Sequence, residues 1–294
     1  MYLSYSGYKT WTACPCMYWH RYVNHTKREV PENRVNTLFG HVVGGVFEYF
    51  YNERIWAEAG VEQKLRNRVQ VSYLRAVAKE TKDGQIKWKP EDKKANYASP
   101  DDLLADVHET IPRGLRIIRH HRLLGTNATA EVKLDQTVAG HMIAGRCDFL
   151  MRRIGPHHDL VLLDGKGTKW RDKFIDRRQL KWYAMLHRLK EKYAPDRLGF
   201  VYWRCEPEDS VDWVEASSNE LDELQASVLT SIEEIERAKA QFEKDPSSQP
   251  EFFPARPGAP CHFCEYLPLC PAGQKYESLE APKHGGSGVE DVGF

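Results

Sequence analysis

Two acidic residues and a lysine lie on either side of a predicted turn in the middle of the chain. Asp148 precedes Gly155-Pro156, and Asp164-Gly165-Lys166 follows it. If two strands pair around residue 156, Asp148 and Asp164 lie opposite each other with Cβ atoms about 5 Å apart. Facing carboxylates repel each other unless a cation lies between them. The pattern therefore predicts either a divalent-metal site or a surface cluster that Lys166 neutralises.

The strand that carries Asp164 is predicted to be buried. Val161-Leu162-Leu163 is a continuous apolar run, which is typical of a central strand covered on both faces. Lys166 follows Asp164 by two positions and projects from the same face, because strand side chains alternate. There it can meet a phosphate or orient a water. Ligands of α/β sheets bind at strand ends, so this position favours a functional site.

A second group of chemically active residues is formed by cysteines at the two ends of the chain. Cys261, Cys264 and Cys270 form a C-x2-C-x5-C run, and Cys14 lies near the N-terminus, with Cys16 as a competing ligand. Three close thiolates and a distant fourth are what a zinc or iron–sulfur centre needs. The pattern predicts a centre that joins the two ends.

Composition limits the class of protein. The 294 residues are 41% hydrophobic and contain 42 basic and 42 acidic side chains, so a buried core is expected and a wholly disordered chain is not. Net neutrality means that any nucleic-acid interface must come from a local basic patch. No apolar run of 18 residues and no signal peptide is present, so we expect a cytoplasmic protein that does not enter membranes.

The periodicity of apolar residues changes twice along the chain. Residues 1–125 are mostly helical, with a helix capped by Asp101-Asp102 and ending near Gly125; residues 126–217 alternate as strands; and residues 218–272 contain a long helix and the cysteine run. Residues 273–294 are expected to be a disordered tail. The predicted sheet elements are strands at 130–138, 142–151, 160–168, 198–205 and 211–215, with helices at 176–192 and 219–243.

Several motifs occur in the order found in one nuclease family. They are Leu3-Ser4-Tyr5-Ser6 with Cys14-Pro15, Gly145-Arg146-Cys147-Asp148, Leu163-Asp164-Gly165-Lys166, Gln179-Leu180-Lys181-Trp182-Tyr183, and the three C-terminal cysteines. This order resembles the RecB-like branch of the PD-(D/E)XK nuclease superfamily, and within it the CRISPR-associated and AddB-type nucleases that carry an iron–sulfur cluster. The resemblance extends from Leu3 to Cys270.

The resemblance implies a fold and a set of roles. It implies an α/β, restriction-endonuclease-like fold with a mixed central sheet flanked by helices, in one nuclease domain over residues 1–272. Asp148, Asp164 and the Gly165 carbonyl would hold Mg²⁺ or Mn²⁺, and Lys166 would position the attacking water. Gln179 and Tyr183, on one helix face, would orient Lys166 or touch a phosphate; a Gln–Tyr packing pair is the alternative.

The resemblance also assigns the cysteines. Cys14, Cys261, Cys264 and Cys270 would hold a 4Fe–4S cluster as a structural staple, with Zn²⁺ as the alternative. Cys14 is preferred to Cys16 because Pro15 follows it, as in the family motif.

The chain departs from the family pattern at one position. The family places a metal-binding histidine four residues after a helical glycine, and in this chain Gly44 occupies that position after Gly40. His41 lies three residues earlier, on nearly the same helix face, and is a possible substitute.

The implied function is metal-dependent cleavage of DNA by a single-strand exonuclease, in recombination, repair, phage DNA metabolism or spacer acquisition, with recombination or replication proteins as partners. A basic and aromatic stretch supports a DNA track; its residues are Lys166, Lys169, Trp170, Arg171, Lys173, Phe174, Arg177, Arg178 and Lys181. The rival interpretation is a catalytically impaired, cluster-stapled subunit that binds DNA or forms complexes. A zinc-stabilised protein without a nucleic-acid role is a third interpretation.

Overall fold

The protein is described by a computed structural model that covers residues 1–27, 35–80, 88, 97–125, 127–153, 158–168, 171 and 176–280. Its described residues divide into two compact units. The terminal unit comprises residues 1–27, 135–144 and 222–280. The central unit comprises the described residues of 35–134 and 145–221.

The central unit is built on a five-stranded mixed sheet of order β2-β5-β6-β7-β8. Its strands are β2 (Thr129–Lys133), β5 (Arg146–Arg152), β6 (Leu160–Lys166), β7 (Arg197–Tyr202) and β8 (Val211–Val214). Among the described strands of this sheet, β6 and β7 pair in parallel and the other neighbours pair antiparallel. Their connection contains α6 (Arg177–Glu191), because parallel neighbours need a crossover connection.

The register of β5 and β6 is the one expected from the turn. Phe149 pairs with Leu163 and Leu150 with Leu162, so each pair of residue numbers sums to 312. The predicted turn at Gly155-Pro156 lies outside the described residues. Continuing the same register places Asp148 opposite Asp164.

Helices cover the sheet of the central unit. α3 (Val35–Asn52), α4 (Val61–Glu80) and α5 (Pro100–His120) share one apolar core with the sheet, in which Phe47 stacks on Trp203 at 4.1 Å between ring centroids. α6 packs against β6 and β7. The cap of α5 is Ser99, whose Oγ accepts a hydrogen bond from Asp102 N at 3.2 Å. The predicted Asp101-Asp102 cap was therefore wrong, because both acids already lie in the first turn.

The terminal unit contains a three-stranded sheet of order β1-β4-β3. Its strands are β1 (Tyr2–Ser4), β3 (Gln136–Val138) and β4 (His141–Ala144). Its helices are α1 (Tyr5–Ala13), α2 (Pro15–Tyr18), most of α7 (Ser218–Lys244), α8 (Gln249–Phe252) and α9 (Pro271–Glu280).

Three sequence predictions need correction. The predicted strands 130–138 and 142–151 are each broken in two, and β1 was not predicted. Ala139 and Gly140 both have positive φ, 49° and 81°, so residues 136–144 close their own tight hairpin, and this hairpin belongs to the terminal unit.

The predicted disordered tail is wrong for residues 273–280, which continue α9; residues 281–294 lie outside the described part.

The observed mixed sheet with flanking helices confirms the predicted α/β fold class. Among the described helices, none combines the length and apolar character needed to cross a membrane. The single-domain organisation over residues 1–272 stays a prediction.

Candidate active site and cysteine cavity

The strand ends of the central unit bring Asp148 and Asp164 together. Gly165 N donates a hydrogen bond to Asp148 Oδ2 at 2.7 Å, which ties the strand of one acid to the side chain of the other. A Cβ on Gly165 would lie 2.8 Å from Trp203 Nε1 and 3.4 Å from Asp148 Oδ2. Only glycine therefore allows this approach without displacing a neighbour.

Burial dominates the electrostatics of the two acids. Asp164 is only 4% exposed. Burial raises the pKa of Asp164, and the nearby Lys166 opposes this effect. Burial also raises the pKa of Asp148, and the negative charge of Asp164 raises it further. A divalent cation would restore the ionised state of both groups, so the pair fits the metal that the sequence predicts.

Lys166 connects the acids to α6. Its Nζ lies 2.5 Å from Asp164 Oδ2, which has no hydrogen-bond partner among the described residues apart from this ion pair. Lys166 Nζ also donates to Gln179 Oε1 at 3.4 Å, and Gln179 Nε2 donates to Tyr183 Oη at 3.0 Å. The structure thus brings all the predicted catalytic side chains into one connected set.

One neighbour of this set was not predicted from the sequence. Glu131 on β2 falls opposite Asp148, because Ala130 pairs with Phe149 and Val132 with Cys147. Glu131 was missed because 130–138 looked like one continuous strand. The hairpin at 136–144, which sets the pairing of β2 with β5, was not recognised.

The structure also locates the departure from the family pattern. His41 Nδ1 lies 2.8 Å from Glu80 Oε1, and burial lowers the pKa of His41. A Cβ added to Gly44 would meet no heavy atom of the described residues within 4 Å. His41 therefore lies beside an acid of α4, and Gly44 has room for a side chain.

The predicted basic track is partly neutralised. Arg171 is ion-paired with Asp212, and Lys181 with Glu220. Lys169, Trp170, Lys173 and Phe174 lie outside the described residues. These ion pairs reduce the positive charge that Arg171 and Lys181 offer to a phosphate backbone.

Five cysteines of the terminal unit line one cavity of about 20 Å³: Cys14, Cys16, Cys261, Cys264 and Cys270. The cavity therefore gathers all four predicted ligands and the competing Cys16.

Backbone N–H groups distinguish these thiols. Arg256 N donates to Cys14 Sγ at 3.5 Å, Gly258 N to Cys261 Sγ at 3.5 Å, and Gly273 N to Cys270 Sγ at 3.4 Å. Burial raises the pKa of Cys264, and a backbone hydrogen bond at Tyr266 opposes this effect. Such donors stabilise thiolate ligands. The four predicted ligands thus share a feature that suits a thiolate-bound centre.

Cys16 has a different environment. Burial, then the neighbouring Cys270 and Cys14, raise the pKa of Cys16 to about 12, and its hydrogen-bond partner is the Cys270 side chain. Within the described ranges, no three His, Cys, Asp or Glu side chains are gathered tightly enough to hold a single metal ion as they lie. Cysteine thiolates around one cavity are the donor set of both predicted groups, a zinc ion and an iron–sulfur cluster.

Comparison with known proteins identifies the family. The profile of the PD-(D/E)XK nuclease superfamily matches residues 2–271. No curated protein matches the chain. Two of the solved structures that match the chain have low TM-scores. A presumed exonuclease from Eubacterium rectale has a TM-score of 0.43 and 16% identity, with 80% of each chain covered. The protein SSO0001 has a TM-score of 0.32 and 15% identity, with 86% of this chain and 92% of that chain covered. Because the family profile spans nearly the whole sequence, including the paired acids and their lysine, the chain belongs to the PD-(D/E)XK nuclease superfamily.

Proposed function

We propose that this member of a nuclease superfamily is a metal-dependent deoxyribonuclease that removes nucleotides from the ends of single-stranded DNA. The observation that carries the proposal is the contact between Lys166 and Asp164, with Asp148 held across Gly165. Two buried acids need a positive charge beside them, and one ammonium group compensates only one carboxylate. Mg²⁺ or Mn²⁺ at this place balances the second.

Each side chain of the set has a role that its contacts support. Asp148, Asp164 and the Gly165 carbonyl would hold the cation, which, when bound, supplies Lewis-acid activation of the phosphate and of a water. Lys166 positions that water and stabilises negative charge on the phosphate. Gln179 limits the orientations of the Lys166 ammonium through its Oε1, and Tyr183 holds the Gln179 amide in turn.

The cysteine cavity is proposed to hold a 4Fe–4S cluster through Cys14, Cys261, Cys264 and Cys270. The backbone donors at these four sulfurs support this choice over Cys16. The cluster would act as a structural staple within the terminal unit. Anaerobic purification followed by iron and sulfide analysis tests this assignment. Cys14→Ser should lose iron, and Cys16→Ser should keep it.

The cellular setting is proposed from the family resemblance. Recombination, repair, phage DNA metabolism or spacer acquisition in the cytoplasm of a bacterial or phage-infected cell would supply single strands with free ends. Recombination or replication proteins would then be the partners. Affinity purification tests this setting. The wild-type chain and the Asp164→Asn variant serve as two matched baits, and such proteins should be enriched with the wild-type chain.

A second candidate function is favoured by Gly44, which lacks the side chain that the family uses for its metal. In this alternative the chain binds DNA or forms a complex, and its catalysis is impaired. Binding of single strands without Mn²⁺-dependent release of nucleotides would support this alternative and contradict the first.

Four substrates of matched sequence test the preferences for free ends, single strands and DNA. They are end-labelled linear single strands, linear duplexes, circular single strands and RNA. With Mn²⁺ or Mg²⁺ we expect nucleotide release from linear single-stranded DNA, and intact circles. Cleaved circles would show endonuclease activity, and a preference for RNA would contradict the DNA assignment. Asp164→Asn is the control for contaminating nucleases.

A further inference from the structure

Glu131 lies in register with the two acids of the proposed metal site. Ala130 and Val132 pair with Phe149 and Cys147, so Glu131 falls opposite Asp148. The register of β5 and β6 then places Asp148 opposite Asp164. Three adjacent strands therefore each present one acidic residue on a single line across the sheet.

The backbone at Glu131 departs from that of an ordinary strand. Its φ is +56°, within the left-handed region, although it lies inside β2. Glutamate rarely adopts this conformation, and such strain is concentrated at functional positions. The residues on either side of Glu131 keep their pairing with β5.

The Glu131 carboxylate forms an exposed ion pair. Its Oε2 accepts a hydrogen bond from Arg146 Nη1 at 2.9 Å, and the side chains are 42% and 57% exposed. Exposed ion pairs of this kind contribute little to stability, so Glu131 can leave Arg146 at small cost.

The alternative ligand on α3 lies beside a buried acid of α4. His41 Nδ1 lies 2.8 Å from Glu80 Oε1, and the Glu80 side chain is only 6% exposed. To reach a cation beside Asp148, His41 would have to leave this partially buried acid. The ion pair that Glu131 would leave is exposed instead.

We propose that Glu131 supplies the third carboxylate of the divalent-cation site, in place of the histidine that Gly44 has replaced. This inference rests on the proposed metal-dependent function of Asp148 and Asp164. A third carboxylate suits Mg²⁺ or Mn²⁺, which prefer oxygen ligands. Glu131 is then a ligand that this chain provides from its sheet, where the family uses a helix.

Calorimetric titration of Mn²⁺ into the DNA-free protein tests the inference. Glu131→Gln should weaken Mn²⁺ binding about tenfold or more, and Glu131→Asp should recover part of the loss. Arg146→Gln is the matched control: it removes the other half of the exposed ion pair but no proposed ligand, so Mn²⁺ affinity should hold or rise. The far-ultraviolet circular dichroism of all variants should match that of the wild type.

The possible outcomes separate this inference from the proposed function. If the wild type binds Mn²⁺, Asp164→Asn does not, and Glu131→Gln binds as tightly as the wild type, the inference is wrong and the proposed function survives. If His41→Ala loses affinity instead, His41 is the third ligand and the inference is again wrong. If the wild type itself fails to bind Mn²⁺, both proposals fail.

Discussion

Lys166 Nζ lies 2.5 Å from Asp164 Oδ2, so the lysine and the second acid of the site form an ion pair whose acid is buried. Asp164 is 4% exposed. The same strand end thus carries both the group that would bind a cation and the group that would act on the phosphate. This proximity lets the roles of binding and chemistry be separated by substitution.

Lys166→Met should reduce nucleotide release about 100-fold or more, because the charge that stabilises the phosphate is lost. Mn²⁺ binding should stay the same or tighten, since Asp164 no longer shares its charge with an ammonium group. Parallel kinetics and titration calorimetry measure the two effects. Lys190→Met is the control, because Lys190 is exposed on α6 and paired with Glu191. Equal losses of Mn²⁺ binding and cleavage in Lys166→Met would contradict the assigned role.

Asp148→Asn should stabilise the metal-free protein at alkaline pH. Burial raises the folded-state pKa of Asp148 above the unfolded value of roughly 4. The protonated form therefore favours folding at low pH, and this contribution is lost as the pH rises through the folded-state pKa. At pH 8 in EDTA the variant should gain at least about 1 kcal/mol in unfolding free energy, because each raised pKa unit is worth about 1.4 kcal/mol.

Urea unfolding of Asp148→Asn at pH 5 and pH 8 measures this difference. The advantage over the wild type should be smaller at pH 5, and excess Mn²⁺ should reverse it by stabilising only the wild type. A variant that is less stable than the wild type at pH 8 in EDTA would refute the electrostatic account of the pair.

Tyr183→Phe should lower kcat and leave KM unchanged. The substitution removes the oxygen that accepts the Gln179 Nε2 hydrogen bond, so Gln179 is freer to turn away from Lys166. One hydrogen bond is worth about 0.5–1.5 kcal/mol, which corresponds to a roughly 2- to 12-fold drop. Tyr193→Phe, at an exposed tyrosine, is the matched control. A raised KM with unchanged kcat would instead indicate a contact with DNA.

Gly165→Ala should destabilise the protein by about 1–3 kcal/mol, because its Cβ would overlap Trp203 Nε1. Gly44→Ala is the matched control. It meets no described heavy atom within 4 Å and should gain up to about 1 kcal/mol as a helix-interior substitution. Chemical unfolding of both variants compares them. Equal stabilities would contradict the close packing at the strand end.

The sequence was sufficient for the pair of acids, because a turn and an apolar run fix a hairpin register locally. Phe149 pairs with Leu163 as that register requires. The α6 contacts were also predictable, since Gln179 and Tyr183 lie four residues apart on one helix face. The catalytic roles of these residues stay proposals.

The remaining features depend on contacts that are distant in sequence. The hairpin at 136–144 pairs through β4 with β1, which begins at Tyr2, and no local sequence pattern predicts that pairing. Because this hairpin was not predicted, the pairing of β2 with β5 was not predicted either, and Glu131 could not be placed beside Asp148. The shared cavity could be anticipated from cysteine spacing, but the backbone donors that distinguish Cys14 from Cys16 come only from tertiary structure.

The rate of nucleotide release from end-labelled linear single-stranded DNA, with and without Mn²⁺, tests the paired-acid centre most directly. The wild type should release nucleotides only with the metal, and Asp164→Asn should fall to background while keeping its fold. Metal-independent release, or an Asp164→Asn variant as active as the wild type, would contradict the account.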